Sequence, residues 1–124
     1  MKITTFNPQI ITKNAGAAVK FFEELGFEKT HTKKAIGELD VIGIRMKNAD
    51  GFYVDISQVE NIPVDAITGI RMNVDNFDEA FELLTARGFK SFYGDKTADT
   101  PTSKSAIMIA PCGYTINLVE HIKK

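Results

Sequence analysis

The sequence predicts an α+β fold made of two tandem strand-helix-strand-strand-strand modules. Three observations predict it. In the stretch Asn14 to Lys29, Ala18, Phe21, Phe22 and Leu25 fall at i, i+3, i+4 and i+7, one stripe of an amphipathic helix. Asn14 suits its N-cap, and Gly26 stands where the chain needs a residue free to take positive φ. The pattern then returns in Asn76 to Ser91, with Ala80, Leu83 and Leu84 on the stripe, Asn76 at the cap and Gly88 at the stop. Gly26 and Gly88 are 62 positions apart, half of the 124-residue chain. The same shift carries Gly51-Phe52-Tyr53-Val54-Asp55-Ile56 onto Gly113-Tyr114-Thr115-Ile116-Asn117-Leu118, Met46 onto Met108, and Ile10 and Thr12 onto Met72 and Val74. One constant offset across a helix and three strands reads as a tandem duplication. The expectation is a single domain, 1–124, of two repeats at about 1–62 and 63–124.

The elements follow in order. Phe6 to Thr12 reads as the first strand, with Pro8 suited to an edge or a strand start. Asn14 to Leu25 is the first helix. Phe27 to Lys34 alternates without an apolar face and reads as an exposed, charged strand. Ala35 to Glu38 is a turn. Leu39 to Lys47 is a strand with Ile42, Ile44 and Met46 on one face and Gly43 and Arg45 on the other. Asn48 to Gly51 is a hairpin connection whose Asp-Gly pair tolerates left-handed φ. Phe52 to Gln58 is the fourth strand. Val59 to Ala66, with Pro63, joins the halves. Ile67 to Val74, the second helix and a short strand near Lys90 to Tyr93 follow. Gly94 to Thr102 is polar, lacks periodicity and reads as a loop. Ser103 to Ile109 and Tyr114 to His121 are strands joined by a turn at Pro111-Cys112-Gly113.

Composition is that of an ordinary folded domain, with 44% hydrophobic and 25% charged residues and a mean hydropathy of -0.10. A net charge of -1 makes no electrostatic case for nucleic acid or an anionic membrane. No apolar run approaches the roughly 20 residues of a membrane span, and the N-terminus lacks the apolar core of a signal peptide. The single cysteine, Cys112, precludes an intrachain disulfide and fits a reducing cytoplasm.

Successive strand residues point to opposite faces. Phe52, Val54 and Ile56 oppose Tyr53, Asp55 and Ser57; Ile70, Met72 and Val74 oppose Gly69, Arg71 and Asn73; Tyr114, Ile116 and Leu118 oppose Thr115, Asn117 and Val119. The apolar faces should pack under the helices, with Phe21 and Phe22 in the core. The mixed faces either meet solvent or line a concave cavity, and periodicity does not choose between the two.

Three segments carry a resemblance. Ala18-Val19-Lys20-Phe21-Phe22-Glu23-Glu24-Leu25-Gly26-Phe27, Ile70-Arg71-Met72-Asn73-Val74-Asp75-Asn76-Phe77-Asp78 and Ala110-Pro111-Cys112-Gly113-Tyr114-Thr115-Ile116-Asn117-Leu118-Val119-Glu120 resemble, in order and spacing, the vicinal oxygen chelate superfamily of glyoxalase I, bleomycin-resistance proteins, extradiol dioxygenases and fosfomycin-resistance enzymes. The resemblance covers nearly the whole chain. It implies a curved, cup-shaped, eight-stranded mixed sheet and a homodimer. It also implies four inward positions that bind a divalent metal in the metalloenzymes, here Asn7, Asp55, Gly69 and Asn117, which obey the 62-residue offset. A tight divalent site wants imidazoles and carboxylates. One carboxylate, two amides and a glycine do not supply one, and His31 and His121 lie off these positions. No metal and no other cofactor is expected.

Two functions remain open from the sequence. The first is a metal-free protein of glyoxalase or bleomycin-resistance type that binds a small organic molecule in the cup. Asn7, Gln9, Asp55, Asn73 and Asn117 would supply hydrogen bonds, Arg45 and Arg71 positive charge, and Tyr53 and Phe52 an aromatic wall. An anionic or carbonyl-bearing aromatic ligand would lie near Arg71, unless Arg71 is a surface or ion-pair residue. The second is a metal-independent lyase or isomerase with Asp55 as general base, unless Asp55 is paired with Arg71 or hydrogen-bonded to Asn117. A structural or regulatory partner protein would lack a ligand pocket altogether. Cys112 reads as a turn residue and His31 as solvent-facing; Tyr93 and the loop after it either cover the cup mouth or lie exposed.

Overall fold

The computed structural model describes residues 1–35, 41–60, 62, 64–92, 98–100 and 103–122. The turn expected at 36–38, the start of the third strand at 39–40, Pro63 and Tyr93 lie outside the described residues. Among those described, the chain runs β1 (Ile3–Thr12), α1 (Ala15–Glu24), β2 (Glu28–Ala35), β3 (Val41–Lys47), β4 (Tyr53–Val59), β5 (Ala66–Val74), α2 (Phe77–Ala86), β6 (Lys90–Ser91), β7 (Ala98–Thr100), β8 (Ser103–Ile109) and β9 (Thr115–His121). The bounds of α1 and α2, of β3 and β8, and of β4 and β9 are each 62 positions apart at both ends. The architecture is α+β, in two βαβββ modules.

The chain divides into two compact units, Asn7–Thr68 and Met1–Phe6 with Gly69–Lys124. In the first, the strand order is β2-β3-β4-β1: β2 and β3 are antiparallel, as are β3 and β4, and β1 is parallel to β4 from Gln9↔Asp55 to Thr12↔Gln58. That ladder begins just after Pro8, so the missing N–H interrupts no bond to β4. In the second, the order is β5-β9-β8-β6, with β5 parallel to β9 and the remaining neighbours antiparallel. Four strands from each unit make the expected eight. The ninth, β7, corrects the reading of 94–102 as a loop throughout: Ala98, Asp99 and Thr100 pair antiparallel with Ser105, Lys104 and Ser103. Backbone hydrogen bonds to the edge of β8 hold it, and these need no apolar alternation.

Both helices are terminated by the same devices. Asn14 Oδ1 accepts from Ala17 N–H at 3.2 Å, and Asn76 Oδ1 from Glu79 N–H at 3.0 Å. At the far ends Gly26 and Gly88 take φ of 95° and 91°. Gly26 N–H then reaches Glu23 C=O while Phe27 N–H reaches Phe22 C=O; Gly88 and Phe89 do the same to Thr85 and Leu84. This is a Schellman stop, and the Phe22 and Phe27 rings meet edge-on at 5.5 Å beneath it. A further tie was not legible beforehand. Gln58 Oε1 accepts from Ala15 N–H at 3.3 Å, and Glu120, 62 positions on, accepts from Phe77 N–H. In each module the last strand supplies a partner for an otherwise orphaned amide of the helix first turn.

The helix stripe is offset from the expectation by three positions. Ala15 and Val19 are buried in the first core with Met46, Val54 and Ile56, while Ala18, Phe22, Phe27 and Ile44 pack against it. Phe21 is not core: it is 55% exposed, and Leu25 and Leu83 are exposed as well. The second core holds Phe77 and Ala80 with Met72, Ala106, Met108, Ile116 and Leu118, flanked by Phe81 and Leu84. The stripes are therefore 15-18-19-22 and 77-80-81-84. Size misled the reading, because the smaller Ala15, Ala18 and Val19 let α1 lie close on the sheet. Phe52 is also exposed, since it precedes β4 and its N–H is held in the turn by Asn48 Oδ1 at 2.9 Å.

Truncation separates the two phenylalanines. Phe22→Ala is expected to cost about 2–3 kcal/mol in urea unfolding and Phe21→Ala less than about 1 kcal/mol. Equal costs would place the stripe where the sequence first suggested.

Candidate functional site

The helix-facing sides of both ladders are apolar, so polar chemistry must lie on the opposite sides. Cα pairing shows which residues share those sides. In the first unit Arg45 and Gln9 flank Asp55 on neighbouring strands, and Ser57 pairs with Gly43 and Ile11. Gln9, Asp55 and Ser57 are 3%, 4% and 6% exposed although neither helix core includes them. In the second unit Arg71 pairs with Asn117, and the next inward residue, Asn73, is 5% exposed. Among the described residues these four are the buried polar or charged set, and all four face away from the helices. The solvated alternative therefore fails for these positions.

Asp55 is the centre of the first group. Its Oδ1 accepts from Arg45 Nε at 2.8 Å, and its Oδ2 from Asn7 Nδ2 at 2.9 Å and Arg45 Nη2 at 3.3 Å. The guanidinium fork matches the carboxylate with two nearly parallel bonds. These partners replace the Arg71 and Asn117 considered from the sequence. The Arg45 guanidinium also lies 5.9 Å from the Tyr53 ring centroid, and Lys47 Nζ lies 5.4 Å from it, so two cations lie over one aromatic ring. One register step along, Gln9 Nε2 donates to Ser57 Oγ at 3.1 Å. Gln9 Oε1 is buried with no hydrogen-bond partner among the described residues.

The second group is built on Arg71. Its Nε donates to Asn73 Oδ1 at 3.0 Å, and its Nη2 lies 3.4 Å from His121 Nε2. Thus Asn7, Arg45, Tyr53 and Asp55 come together, Gln9 stands beside them, and Arg71, Asn73 and Asn117 share a face of the other unit. Ser57 and His121 were missed. Period-two alternation from Asp55 and Asn117 places both on these faces, a signal that was present but outweighed by the family positions. His31, as expected, is exposed.

No protein-family model matches the sequence, and no curated protein matches it. Solved structures do match. A Streptomyces coelicolor methylmalonyl-CoA epimerase variant in complex with 2-nitronate-propionyl-CoA superposes with a TM-score of 0.63 at 17% identity, over 98% of this chain and 100% of that one. A second methylmalonyl-CoA epimerase gives 0.62 at 20% identity, over 94% of each chain. A glyoxalase I mutant from Zea mays gives 0.64 at 13% identity, over 96% of this chain and 43% of that one. The chain has the vicinal oxygen chelate fold.

The resemblance implied metal-holding positions at Asn7, Asp55, Gly69 and Asn117, and amides, one carboxylate and a glycine are not a donor set for a divalent ion. Among the described residues no three His, Cys, Asp or Glu side chains are grouped to hold an ion. The one carboxylate is already bound by a cation. A divalent ion about 4 Å from that guanidinium would meet roughly 8 kcal/mol of repulsion at an effective dielectric of about 20. Gly69 cannot be replaced in place either: a Cβ there would stand 2.1 Å from Thr115 Oγ1 and 2.3 Å from its carbonyl oxygen.

Gly69→Ala is expected to destabilise the protein by about 1–3 kcal/mol, read as a lowered urea midpoint. Asp55→Ala, which strands Arg45 and Asn7, is expected to cost about 2–4 kcal/mol. A neutral result at Asp55 would mean the pair is solvated rather than structural.

Proposed function

We propose that this vicinal oxygen chelate fold serves as a metal-free small-molecule binder of glyoxalase or bleomycin-resistance type, with the ligand on the polar strand faces turned away from the helices. The observation that carries the reading is the partly exposed Arg45 guanidinium, held by Asp55 and set beside the exposed Tyr53 ring. A few fixed polar groups among apolar neighbours are how ligand sites are built. In the first unit Asn7 and Gln9 would supply hydrogen bonds, Tyr53 an aromatic surface and Arg45 positive charge; in the second unit Asn73 and Asn117 would supply hydrogen bonds and Arg71 positive charge. The ligand class is an anionic or carbonyl-bearing organic molecule. The 2-nitronate-propionyl-CoA complex of a protein with this fold extends that class to acyl thioesters.

A metal-independent lyase or isomerase with Asp55 as general base is the second reading. It is favoured by burial of a carboxylate among ligand-binding groups. It is opposed by geometry, because three donated bonds from Arg45 and Asn7 leave one lone-pair site, on Oδ1, to take a proton. Homodimerisation and a cytoplasmic location belong to the same proposal. The support for the first is kinship of fold, and for the second the lone exposed thiol of Cys112. Among the described residues no helix is long and apolar enough to cross a membrane.

Titration calorimetry with aromatic carboxylates and acyl-coenzyme A thioesters checks the binder. Arg71→Ala is expected to weaken any ligand found by tenfold or more, and unchanged affinity would remove Arg71 from the site. A turnover screen on α-hydroxy-carbonyl compounds is expected to show no activity that Asp55→Asn abolishes. Activity lost in that variant would favour the enzyme.

A further inference from the structure

Arg45 and Lys47 stand two residues apart on β3, on the side turned away from the helix, while Met46 between them is buried on the other side. Tyr53 pairs directly with Lys47 on the neighbouring strand and is 36% exposed. The two cations differ in what they have left to give. Two of the five guanidinium N–H bonds of Arg45 go to Asp55, and the other three have no partner among the described residues. The Arg45 side chain is 29% exposed and that of Asp55 only 6%, so a molecule arriving from solvent meets the guanidinium before the carboxylate. Lys47 is exposed, lies over the Tyr53 ring and makes no ion pair among the described residues, although Glu28 stands opposite it in the β2–β3 ladder. Asp55 already offsets the charge of Arg45. The Lys47 ammonium is therefore the charge of this group that no carboxylate holds.

We infer that Arg45, Lys47 and Tyr53 form an oxyanion subsite for a phosphomonoester group carried on a small organic molecule. This rests on the binding reading above and narrows it, by adding Lys47 to the site and naming the charged end of the ligand. The supply of donors selects the class. Three unspent guanidinium N–H bonds and the three of the ammonium exceed the roughly four lone-pair sites of a carboxylate. A phosphomonoester has three strongly accepting oxygens and a charge of about −1.5 to −2 near neutral pH, so it can accept from both cations at once. The spacing agrees. Side chains two residues apart on a strand stand roughly 7 Å apart, about the span of an O–P–O edge with a charge-assisted bond of roughly 2.8 Å at each end. The Tyr53 ring gathers both flexible cations over one spot before the ligand arrives, which lowers the ordering cost of binding. Asp55 acts through Arg45, as a positioning residue that fixes the direction of its unspent N–H bonds.

The test is titration of the parent protein with phenyl phosphate and with benzoate at about pH 8, where the phosphate is a dianion, followed by calorimetry and by backbone amide resonances. Phenyl phosphate is expected to shift the Lys47 and Tyr53 amides and to bind roughly tenfold or more tighter than benzoate. Lys47→Gln is expected to weaken phenyl phosphate by roughly tenfold or more, and Lys47→Arg, which keeps the charge, by less than about threefold. Lys29→Gln is the control for net charge. Lys29 is exposed but pairs with the buried Met46 and so lies on the other side of the sheet. Its loss is expected to change binding by less than about twofold. Equal losses in Lys47→Gln and Lys29→Gln, or no loss in Lys47→Gln, would overturn the inference. So would phenyl phosphate that binds no better than benzoate; benzoate bound on this face would then leave the binding reading standing. A parent protein that binds neither compound, nor the acyl-coenzyme A thioesters, would overturn the two together.

Discussion

The pairing of Arg45 with Asp55 sets the terms for the rest of the first unit. A carboxylate this deep demands a cation and further donors, since an uncompensated buried charge costs several kcal/mol. Arginine meets the demand better than lysine would, because its planar fork fits two carboxylate oxygens at once. The pair also fixes the β3–β4 register. The two residues sit directly opposite each other, and a slip of one residue would turn Arg45 into the core beside Val54 and Ile56. Met46 on one side of β3 and Arg45 on the other are thus two halves of one specification.

That specification has a chemical meaning. The positive charge beside Asp55 comes from a side chain rather than from solution. Here the charge is covalently attached to β3 and propped against Tyr53. It needs no uptake, does not exchange with the medium, and presents N–H donors in fixed directions. Such a site suits recognition by shape and hydrogen bonding.

Much of the fold was legible in the sequence, for identifiable reasons. Asn caps, glycines with positive φ and one constant offset are local signals, and they placed α1, α2, β3, β8 and β9 to within a residue or two. What failed was ranking by side-chain size. Phe21, Leu25 and Leu83 looked like core, but small residues on the adjoining stripe make the close contact. The strand β7 was hidden because backbone pairing leaves no mark in hydropathy. At the candidate site, alternation gave the correct faces. It could not say which arginine would reach Asp55, since that depends on cross-strand register, and the ties from Gln58 and Glu120 to the helix amides were invisible for the same reason.

Gly69 has a historical consequence. A Cβ built on it would run into Thr115, so β5 leaves no room beside β9 for another side chain at this position. A single codon change could not place a side chain there in a descendant of this protein, for the strands would first have to move apart. The backbone thus holds this position to glycine, and new side-chain chemistry on this pair of strands would have to arise around it.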